Sequence, residues 1–159
     1  MKTQCHNPYL PLYEHIPDGE PHVFEDRLYV FGSHDLENGN EFCELDYVAW
    51  SAPTDDLSDW RYEGVIYRKD QDPYNTDFLP MYAPDVVRGR DGRYYLYYCV
   101  KFQDAIHVAV SDDPAGKYDY EIADVYQSSV TSHLQKDGVH PDSQGQQIIA
   151  DLVCKEYEK

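Results

Sequence analysis

A block of strand-like sequence occurs twice in this chain, and this repeat restricts the fold more than any other feature. Residues 26–31, DRLYVF, correspond to residues 92–97, GRYYLY, and residues 48–51, VAWS, correspond to residues 108–111, VAVS. The two copies lie about 60 residues apart, and turn-forming Asp and Pro residues follow each. A unit of four short antiparallel strands that repeats at such an interval is typical of a β-propeller blade. The sequence therefore predicts a mainly β fold, a partial β-propeller of about two four-stranded antiparallel blades.

The end of the chain differs in character from the rest. Before residue 122, short apolar and aromatic runs alternate with Asp, Gly, Asn and Pro clusters, and no stretch shows helical spacing. Aromatic residues then become rare, and a stripe of four apolar residues between positions 148 and 153 predicts a short C-terminal α-helix. We therefore predict two units, a partial propeller over residues 1–121 and a tail with a terminal helix over residues 122–159.

Acidic side chains outnumber basic ones, with 30 Asp and Glu residues against 13 Lys and Arg residues and a formal net charge of −17. Because this charge repels polyanions, it argues against a nucleic-acid partner. No apolar run reaches the roughly 18 residues that a membrane-spanning helix requires. The 16 tyrosines instead favour a neutral, hydroxyl-rich ligand such as a sugar, which stacks on aromatic rings and hydrogen-bonds to carboxylates.

The N-terminus and the cysteines bear on the compartment and on metal binding. The first residues contain no apolar segment of a secretory signal, so a cytoplasmic protein is expected, or a secreted one if the true N-terminus lies upstream. The four cysteines, Cys5, Cys43, Cys99 and Cys154, are far apart and form no CxxC pair, which predicts free thiols. Five histidines also lack metal-ligand spacing and are predicted to be surface or packing residues: His6, His15, His22, His107 and His133. No metal site and no cofactor are therefore predicted.

Five motifs follow one another within residues 1–121. They are NPYLP at 7–11, IPDGEPHVF at 16–24, RLYVFGSHD at 27–35, YAPDVV at 82–87 and GRYYLYY at 92–98. In order and spacing they resemble glycoside hydrolase family 43. The resemblance implies part of a five-bladed β-propeller, inverting hydrolysis of α-L-arabinofuranosidic or β-D-xylosidic bonds, and an arabinose- or xylose-containing oligosaccharide or polysaccharide as substrate. Some family members hold a calcium ion on the propeller axis, so the resemblance also allows an axial calcium here, for which the sequence shows no site.

The resemblance assigns roles to individual residues. The general base of the family is an aspartate at the start of the first blade, and spacing places Asp18 there, with Glu20 as the competing assignment. The aspartate of the family's Ala-Pro-Asp-Val motif corresponds to Asp85, which tunes the pKa of the acid and helps to position the sugar. Three further positions are implied to contact the substrate: His34, Asp35 and Tyr82. Taken alone, Asp18 also fits a Pro-Asp-Gly turn, and Asp85 also fits a strand cap.

The general acid of the family has no counterpart in this sequence. In the family it is a glutamate of the third blade, whereas the resemblance ends after residue 118, where the second blade ends. Loss of acid assistance lowers a rate by about 10²–10⁴-fold, so weak or absent turnover is expected. The alternative is a non-catalytic, carbohydrate-binding or self-assembling propeller fragment, which forms homo-oligomers through its exposed blade edges.

A second resemblance concerns the tail. The motif DGVHPDSQG at residues 137–145, followed by the predicted helix, is similar to the last conserved block of SGNH (GDSL-type) esterases. In those enzymes an Asp and a His three residues apart belong to the catalytic triad, which makes Asp137 the orienting acid and His140 the base. The Gly-Asp-Ser motif of the nucleophile does not occur in this chain. The tail is therefore interpreted as a remnant of an acyl esterase, or as an inert loop and terminal helix.

Overall fold

Two four-stranded antiparallel sheets make up most of the structure, and each is built from consecutive strands. The computed structural model describes residues 7–103, 105–121, 132–133, 135–136, 142–148 and 151. The first sheet contains β1 (Glu20–Phe24), β2 (Arg27–Phe31), β3 (Tyr47–Pro53) and β4 (Arg61–Tyr67). The second sheet contains β5 (Met81–Arg88), β6 (Tyr94–Val100), β7 (Ile106–Ser111) and β8 (Asp119–Glu121). In both sheets the strands are ordered as they occur in the chain.

This architecture confirms the predicted fold class of two four-stranded blades with a short helix. The helix covers residues 143–148, and the Asp142 carboxylate accepts the N–H groups of Gln144 and Gly145 at its start. Residues 149, 152 and 153, which complete the predicted apolar stripe, lie outside the described residues. In the described part of the chain, no helix is long and apolar enough to cross a membrane.

The strand β6 shows how alternating side chains produce this arrangement. Tyr94, Leu96, Tyr98 and Val100 are buried on one face of the strand, because successive side chains of a strand point to opposite faces. The strand is hydrogen-bonded to β5 on one edge and to β7 on the other. Each large apolar side chain buried in this way contributes about 1.5–3 kcal/mol to stability. β6 is therefore one of the two central strands of the second sheet, and it directs its apolar face towards the first.

The core lies between the two sheets. Its buried members come from both sheets and from the segment before β8, and they are Tyr29, Phe31, Tyr47, Ala49, Ile66, Tyr67, Met81, Val86, Tyr94, Leu96, Tyr98, Val100, Ala109 and Tyr118. Six of these residues are tyrosines, so a large part of the tyrosine content serves packing rather than sugar stacking. The hydroxyl groups of Tyr67 and Tyr98 are hydrogen-bonded at 2.9 Å, and burial raises the pKa of both phenols well above the usual range.

A buried carboxylate, Asp72, lies in the segment that links β4 to β5. It accepts hydrogen bonds from the Tyr98 hydroxyl at 2.7 Å and from the Tyr74 N–H at 2.8 Å. His107 Nδ1 lies 2.8 Å from Asp72 Oδ2, in an orientation that is not linear enough for a hydrogen bond. Burial raises the pKa of Asp72, but the contact with His107 and the bonds from Tyr98 and Tyr74 outweigh burial and lower it overall. Asp72 is therefore held as a charged carboxylate inside the molecule.

Candidate active site

One end of the two sheets carries the predicted site residues that the structure describes. β1 begins and β2 ends there, since Glu20 pairs with Phe31, and β5 begins and β6 ends there, since Met81 pairs with Val100. β1 and β5 are in contact, so the loops at this end of both sheets border the same region. Asp18 immediately precedes β1, and we call this the Asp18 end.

Asp18 occupies a turn between Pro17 and Gly19 and has a φ of +54°. Asp tolerates this left-handed conformation better than most residues do. Its side chain is exposed, and its carboxylate has no hydrogen-bond partner among the described residues. An exposed carboxylate without a protein partner can bind a water molecule and accept its proton, which is what a general base does.

Gly32, directly after β2, packs against this turn. A Cβ atom on residue 32 would lie 2.3 Å from Ile16 Cγ2, 2.9 Å from the Pro17 carbonyl oxygen and 3.1 Å from Gly19 Cα. The first two separations are too short for nonbonded atoms, and the third is tighter than most such contacts. The turn that carries Asp18 therefore depends on the absence of a side chain at residue 32.

Gly32→Ala is expected to lower the free energy of unfolding by about 1–3 kcal/mol, because the added methyl group overpacks this contact. The turn is displaced as well, so we expect faster amide hydrogen exchange at Asp18 and Gly19. Urea unfolding and exchange followed by NMR measure the two effects. Gly64→Ala is the control, since a Cβ there meets no atom within 4 Å although its φ of +104° strains an alanine. An equal increase in the rate of amide hydrogen exchange at Asp18 in both variants would disprove the packing explanation.

Asp85 lies on β5 directly after a β-bulge. The register between β5 and β6 shifts between Tyr82 and Asp85, and Ala83 in this bulge has a φ of +42°. The Ala83 N–H donates a hydrogen bond to Ser33 Oγ at 2.8 Å, so the loop after β2 fixes the bulge across the two sheets. A residue with a side chain is strained in this conformation, and such strain is found preferentially at functional sites.

The Asp85 carboxylate also contacts β1. Its Oδ1 lies 2.6 Å from His22 Nε2 and accepts the N–H of Val86 at 2.7 Å. The His22 and Asp85 side chains are 33% and 54% exposed, so the pair remains accessible to solvent. This contact joins β1 to β5 and so orients Asp85. The other carboxylate oxygen of Asp85, Oδ2, has no hydrogen-bond partner among the described residues.

Both ring nitrogens of His34 have protein partners. Nδ1 lies 2.8 Å from the carbonyl oxygen of Asp46, and Nε2 lies 2.8 Å from Glu14 Oε1. The other oxygen of Glu14 accepts the indole N–H of Trp50 at 2.7 Å. These contacts join the segment before β1 to the loop before β3 and to β3 itself. The sugar contact predicted for His34 stays a prediction.

Asp35 and Cys43 fix the long loop between β2 and β3. Asp35 Oδ1 accepts the Cys43 N–H at 2.7 Å, and Cys43 has a φ of +60°. Burial raises the pKa of the Cys43 thiol, a hydrogen bond with Ser33 lowers it, and the negative charges of Asp35 and Asp18 raise it further. Asp18 and Asp35 therefore lie close enough to act on the same thiol. Cys43 and Cys99 are the two free thiols in the described part of the chain.

Tyr82 joins this group from the second sheet. Its carbonyl oxygen accepts a hydrogen bond from the Tyr47 hydroxyl at 3.1 Å. Burial raises the pKa of the Tyr82 phenol, the positive charge of Lys101 lowers it, and the negative charges of Cys43 and Glu41 raise it. Tyr82 therefore lies near the loop before β3 and also near the loop after β6.

The structure thus brings five predicted residues to one end of the sheets: Asp18, His34, Asp35, Tyr82 and Asp85. Their catalytic and binding roles stay predictions. Asp137 and His140 lie outside the described residues. In the ranges that are described, no group of three or more His, Cys, Asp or Glu side chains is arranged to hold a metal ion.

Sequence reasoning missed three residues that hold this site together: Glu14, His22 and Ser33. Their partners are 20, 63 and 50 positions away in the chain, and no local pattern encodes contacts over such separations. The sequence predicts only a surface or packing role for His22. The two-residue period of β1 would have drawn attention to His22, because it places His22 on the same face of the strand as Glu20, the competing assignment for the base.

Residues 23–138 match the family model of glycosyl hydrolases family 43. The chain belongs to glycosyl hydrolase family 43. The matched range contains Tyr82 and Asp85, whereas Asp18 precedes it. The match also continues beyond residue 121, the predicted end of the first unit. That boundary stays a prediction.

Known members of family 43 are similar to this chain over part of their length. A xylosidase/arabinosidase of Thermoclostridium stercorarium is 60% identical over 121 residues, which are 76% of this chain and 26% of that protein. A GH43_1 enzyme from Xanthomonas citri complexed with xylose superposes with a TM-score of 0.57 at 30% identity, covering 71% of this chain and 33% of the other. An α-L-arabinofuranosidase from Clostridium thermocellum superposes with a TM-score of 0.57 at 25% identity, covering 75% of this chain and 39% of the other. The chain thus spans less than half the length of each of these three proteins.

Proposed function

We propose that this chain supplies the first two blades of a family 43 glycosidase that hydrolyses α-L-arabinofuranosyl or β-D-xylosyl bonds with inversion. The observation that carries this proposal is the 60% identity to a xylosidase/arabinosidase over 76% of the chain. The Asp18 end supports it, because an exposed carboxylate before β1 and a second carboxylate on β5 border the same region. The substrate is an arabinose- or xylose-containing oligosaccharide or polysaccharide.

Asp18 acts as the general base in this proposal. Inversion requires a carboxylate that takes a proton from water on one face of the sugar and a protonated acid on the other, about 6.5–9.5 Å away. The Asp18 carboxylate is exposed and has no partner among the described residues, so a water molecule can reach it. The contact between Gly32 and the turn around Asp18 holds this carboxylate in place for the reaction.

Asp85 orients the sugar and raises the pKa of the acid. Its Oδ1 is held by His22 and by the Val86 N–H, which leaves Oδ2 to accept a hydrogen bond from a sugar hydroxyl. A carboxylate close to a carboxylic acid favours the protonated form of the acid, because two like charges repel each other. His22 is then a positioning residue that acts through Asp85.

The proton donor is the part of this mechanism that residues 1–121 do not supply. The acid of the family is a glutamate of the third blade, and its counterpart was not found among these residues. We therefore expect the two sheets by themselves to hydrolyse glycosides weakly or not at all, although they carry the base.

A chimera tests the proposed function. In the Thermoclostridium stercorarium enzyme, the segment that matches this chain is replaced by the corresponding residues of this chain. We expect the chimera to hydrolyse 4-nitrophenyl α-L-arabinofuranoside or β-D-xyloside within about tenfold of the parent enzyme, a change of about 1.4 kcal/mol in the barrier. The 159-residue chain alone is expected to be at least about 10²-fold slower.

The stereochemistry of the chimera's product is read by proton NMR directly after mixing. The proposal predicts that the sugar is first released with inverted configuration at its anomeric carbon. A folded chimera that hydrolyses neither glycoside, or one that releases the sugar with retained configuration, would contradict the proposed function. Circular dichroism and thermal melting establish whether the chimera is folded.

A further inference from the structure

Three of the five phenylalanines in the chain are exposed on loops at the Asp18 end. Phe42 is 77% exposed in the loop between β2 and β3, Phe78 is 62% exposed in the link between β4 and β5, and Phe102 is 86% exposed in the loop between β6 and β7. We call these three residues the aromatic rim. The other two, Phe24 and Phe31, pack in or against the core. Large apolar side chains exposed on adjacent loops are candidates for an interaction site.

The three loops of the aromatic rim are in contact with one another. The Lys101 N–H donates to the Pro80 carbonyl oxygen at 3.0 Å, and Gln103 Nε2 donates to the Tyr74 carbonyl oxygen at 2.9 Å. These bonds place the Phe102 loop against the segment that contains Phe78. Lys101 Nζ also forms an ion pair with Glu41 at 2.5 Å, which joins the same loop to the neighbour of Phe42.

The loop that carries Phe42 is held by side chains on both sides of it. Glu44 Oε1 accepts the N–H groups of Asn40 and Glu41 at 2.6 Å each. The Cys43 side chain is buried and its N–H is bonded to Asp35. Phe42 therefore projects from a loop whose conformation is already fixed, so little conformational entropy is lost when it binds a ligand.

Phe78 and Phe102 are also held in defined conformations. The buried Asn75 side chain donates to the Leu79 carbonyl oxygen at 3.0 Å and accepts the Leu79 N–H at 2.8 Å, which closes the turn containing Phe78. Phe78 and Phe102 have φ values of +54° and +63°, a conformation that costs energy for a residue with a large side chain. Lys101 Nζ lies 4.9 Å from the centre of the Phe102 ring, within the range of a cation–π contact.

We propose that the aromatic rim is a subsite that stacks against sugar residues of a xylan or arabinan chain beyond the bond that is cleaved. This inference rests on the proposed function. Sugar rings present apolar C–H faces to aromatic rings, while their hydroxyl groups need polar partners. The rim supplies both, because a charged residue directly precedes each phenylalanine: Glu41, Asp77 and Lys101.

The aromatic rim is continuous with the candidate active site. Phe42 directly precedes Cys43, whose N–H donates a hydrogen bond to Asp35 Oδ1 at 2.7 Å. Tyr82 pairs with Cys99, three residues before Phe102, across β5 and β6, so it lies on the strand pair from which the Phe102 loop leaves. A chain bound along the rim would therefore lead into the Asp18 region, and the proposed substrate is a polymer rather than a short glycoside.

Titration of the 159-residue chain with sugars of different length tests this proposal. The probes are xylose, xylohexaose, arabinose and α-1,5-arabinohexaose, with binding followed by NMR chemical shifts. We expect one of the two hexaoses to bind at least about tenfold more tightly than its monosaccharide. Phe42→Ala and Phe102→Ala are each expected to weaken hexaose binding roughly three- to tenfold.

Tyr13→Ala is the matched control, because Tyr13 is 71% exposed but lies in the segment before β1, outside the aromatic rim. It is expected to leave hexaose binding unchanged, and all three variants are expected to keep the melting temperature of the parent. Equal hexaose affinity in the parent and the two Phe variants would overturn the proposal. Sugar binding that does not depend on chain length would overturn it as well.

The remaining outcomes separate the rim from the proposed function. If the Phe variants weaken hexaose binding but the chimera hydrolyses neither aryl glycoside, the rim is supported and the proposed function fails. If the chimera is active but no hexaose binds the chain, the rim proposal fails alone. If no sugar binds and the Phe variants instead reduce self-association in sedimentation experiments, the rim is a contact between protein molecules, which also overturns the proposal.

Discussion

Asp18→Asn is expected to lower the turnover of aryl α-L-arabinofuranosides or β-D-xylosides by about 10²–10⁴-fold in the chimera described above. Asparagine has nearly the size of aspartate, but its amide does not take a proton from water. Substrate binding is therefore retained while the chemical step slows, and we expect the loss in kcat rather than in KM. Initial rates over a range of substrate concentrations separate the two parameters.

Glu20→Gln is the matched control for this substitution. Glu20 is exposed at the start of β1, two residues after Asp18, and it is the competing assignment for the base. If Asp18 is the base, Glu20→Gln is expected to retain most of the turnover. The opposite pattern, with turnover lost in Glu20→Gln and kept in Asp18→Asn, would assign the base to Glu20 and refute the role proposed for Asp18.

Asp72→Ala is expected to lower the free energy of unfolding by about 3–5 kcal/mol. The substitution removes the acceptor of the Tyr98 hydroxyl and the Tyr74 N–H, as well as the charge beside His107. Buried polar groups left without a partner cost more than the bonds themselves contribute. Urea unfolding of the parent and the variant, followed by circular dichroism, measures the difference.

Asp70→Ala is the control, because Asp70 lies two residues earlier and pairs with Arg68 on the surface, where ion pairs contribute little to stability. The pKa of Asp72 is lower in the folded chain than its ordinary value near 4. The stabilising contribution of Asp72 is thus fully present above about pH 4. It is lost as the pH falls through the pKa that Asp72 has in the folded chain. The parent should therefore lose stability below pH 4 more steeply than Asp72→Ala does. Equal destabilisation by both substitutions would contradict the special role of the buried carboxylate.

The sheets were accessible from the sequence because strand formation and strand pairing are local here. The repeat of residues 26–31 at residues 92–97 marks β2 and β6, the two strands with the same position in their sheets. Alternation of buried and exposed side chains has a period of two residues, so short windows of sequence suffice to show it. The same holds for Asp18, whose Pro-Asp-Gly context predicts the turn in which it is found.

Contacts between the sheets were not accessible in the same way. The bond between His22 and Asp85 joins residues 63 positions apart, and the β-bulge at Ala83 depends on Ser33 in the other sheet. Asp72 looks like one acidic residue among many, and only the fold reveals that it is buried beside Tyr98 and His107. Such arrangements follow from how the two sheets pack, which no local pattern encodes.

The tyrosines show how composition misleads when packing is unknown. Their number suggested sugar stacking, yet Tyr47, Tyr67, Tyr98 and Tyr118 are fully buried between the sheets. The aromatic residues that are most exposed at the Asp18 end are phenylalanines instead. A count of aromatic residues therefore does not separate those that form a core from those that face a ligand.

Because each sheet pairs strands that are consecutive in the chain, the order of folding events follows from the topology. The entropy lost on closing a loop grows with its length, and chains with mostly local contacts fold fastest. We therefore expect each four-stranded meander to form before the two dock. The contacts between Ser33 and Ala83 and between His22 and Asp85 require both meanders to be in place. We thus expect the candidate active site to be assembled when the two sheets dock. A variant that slows docking is expected to delay formation of the site without delaying formation of either sheet.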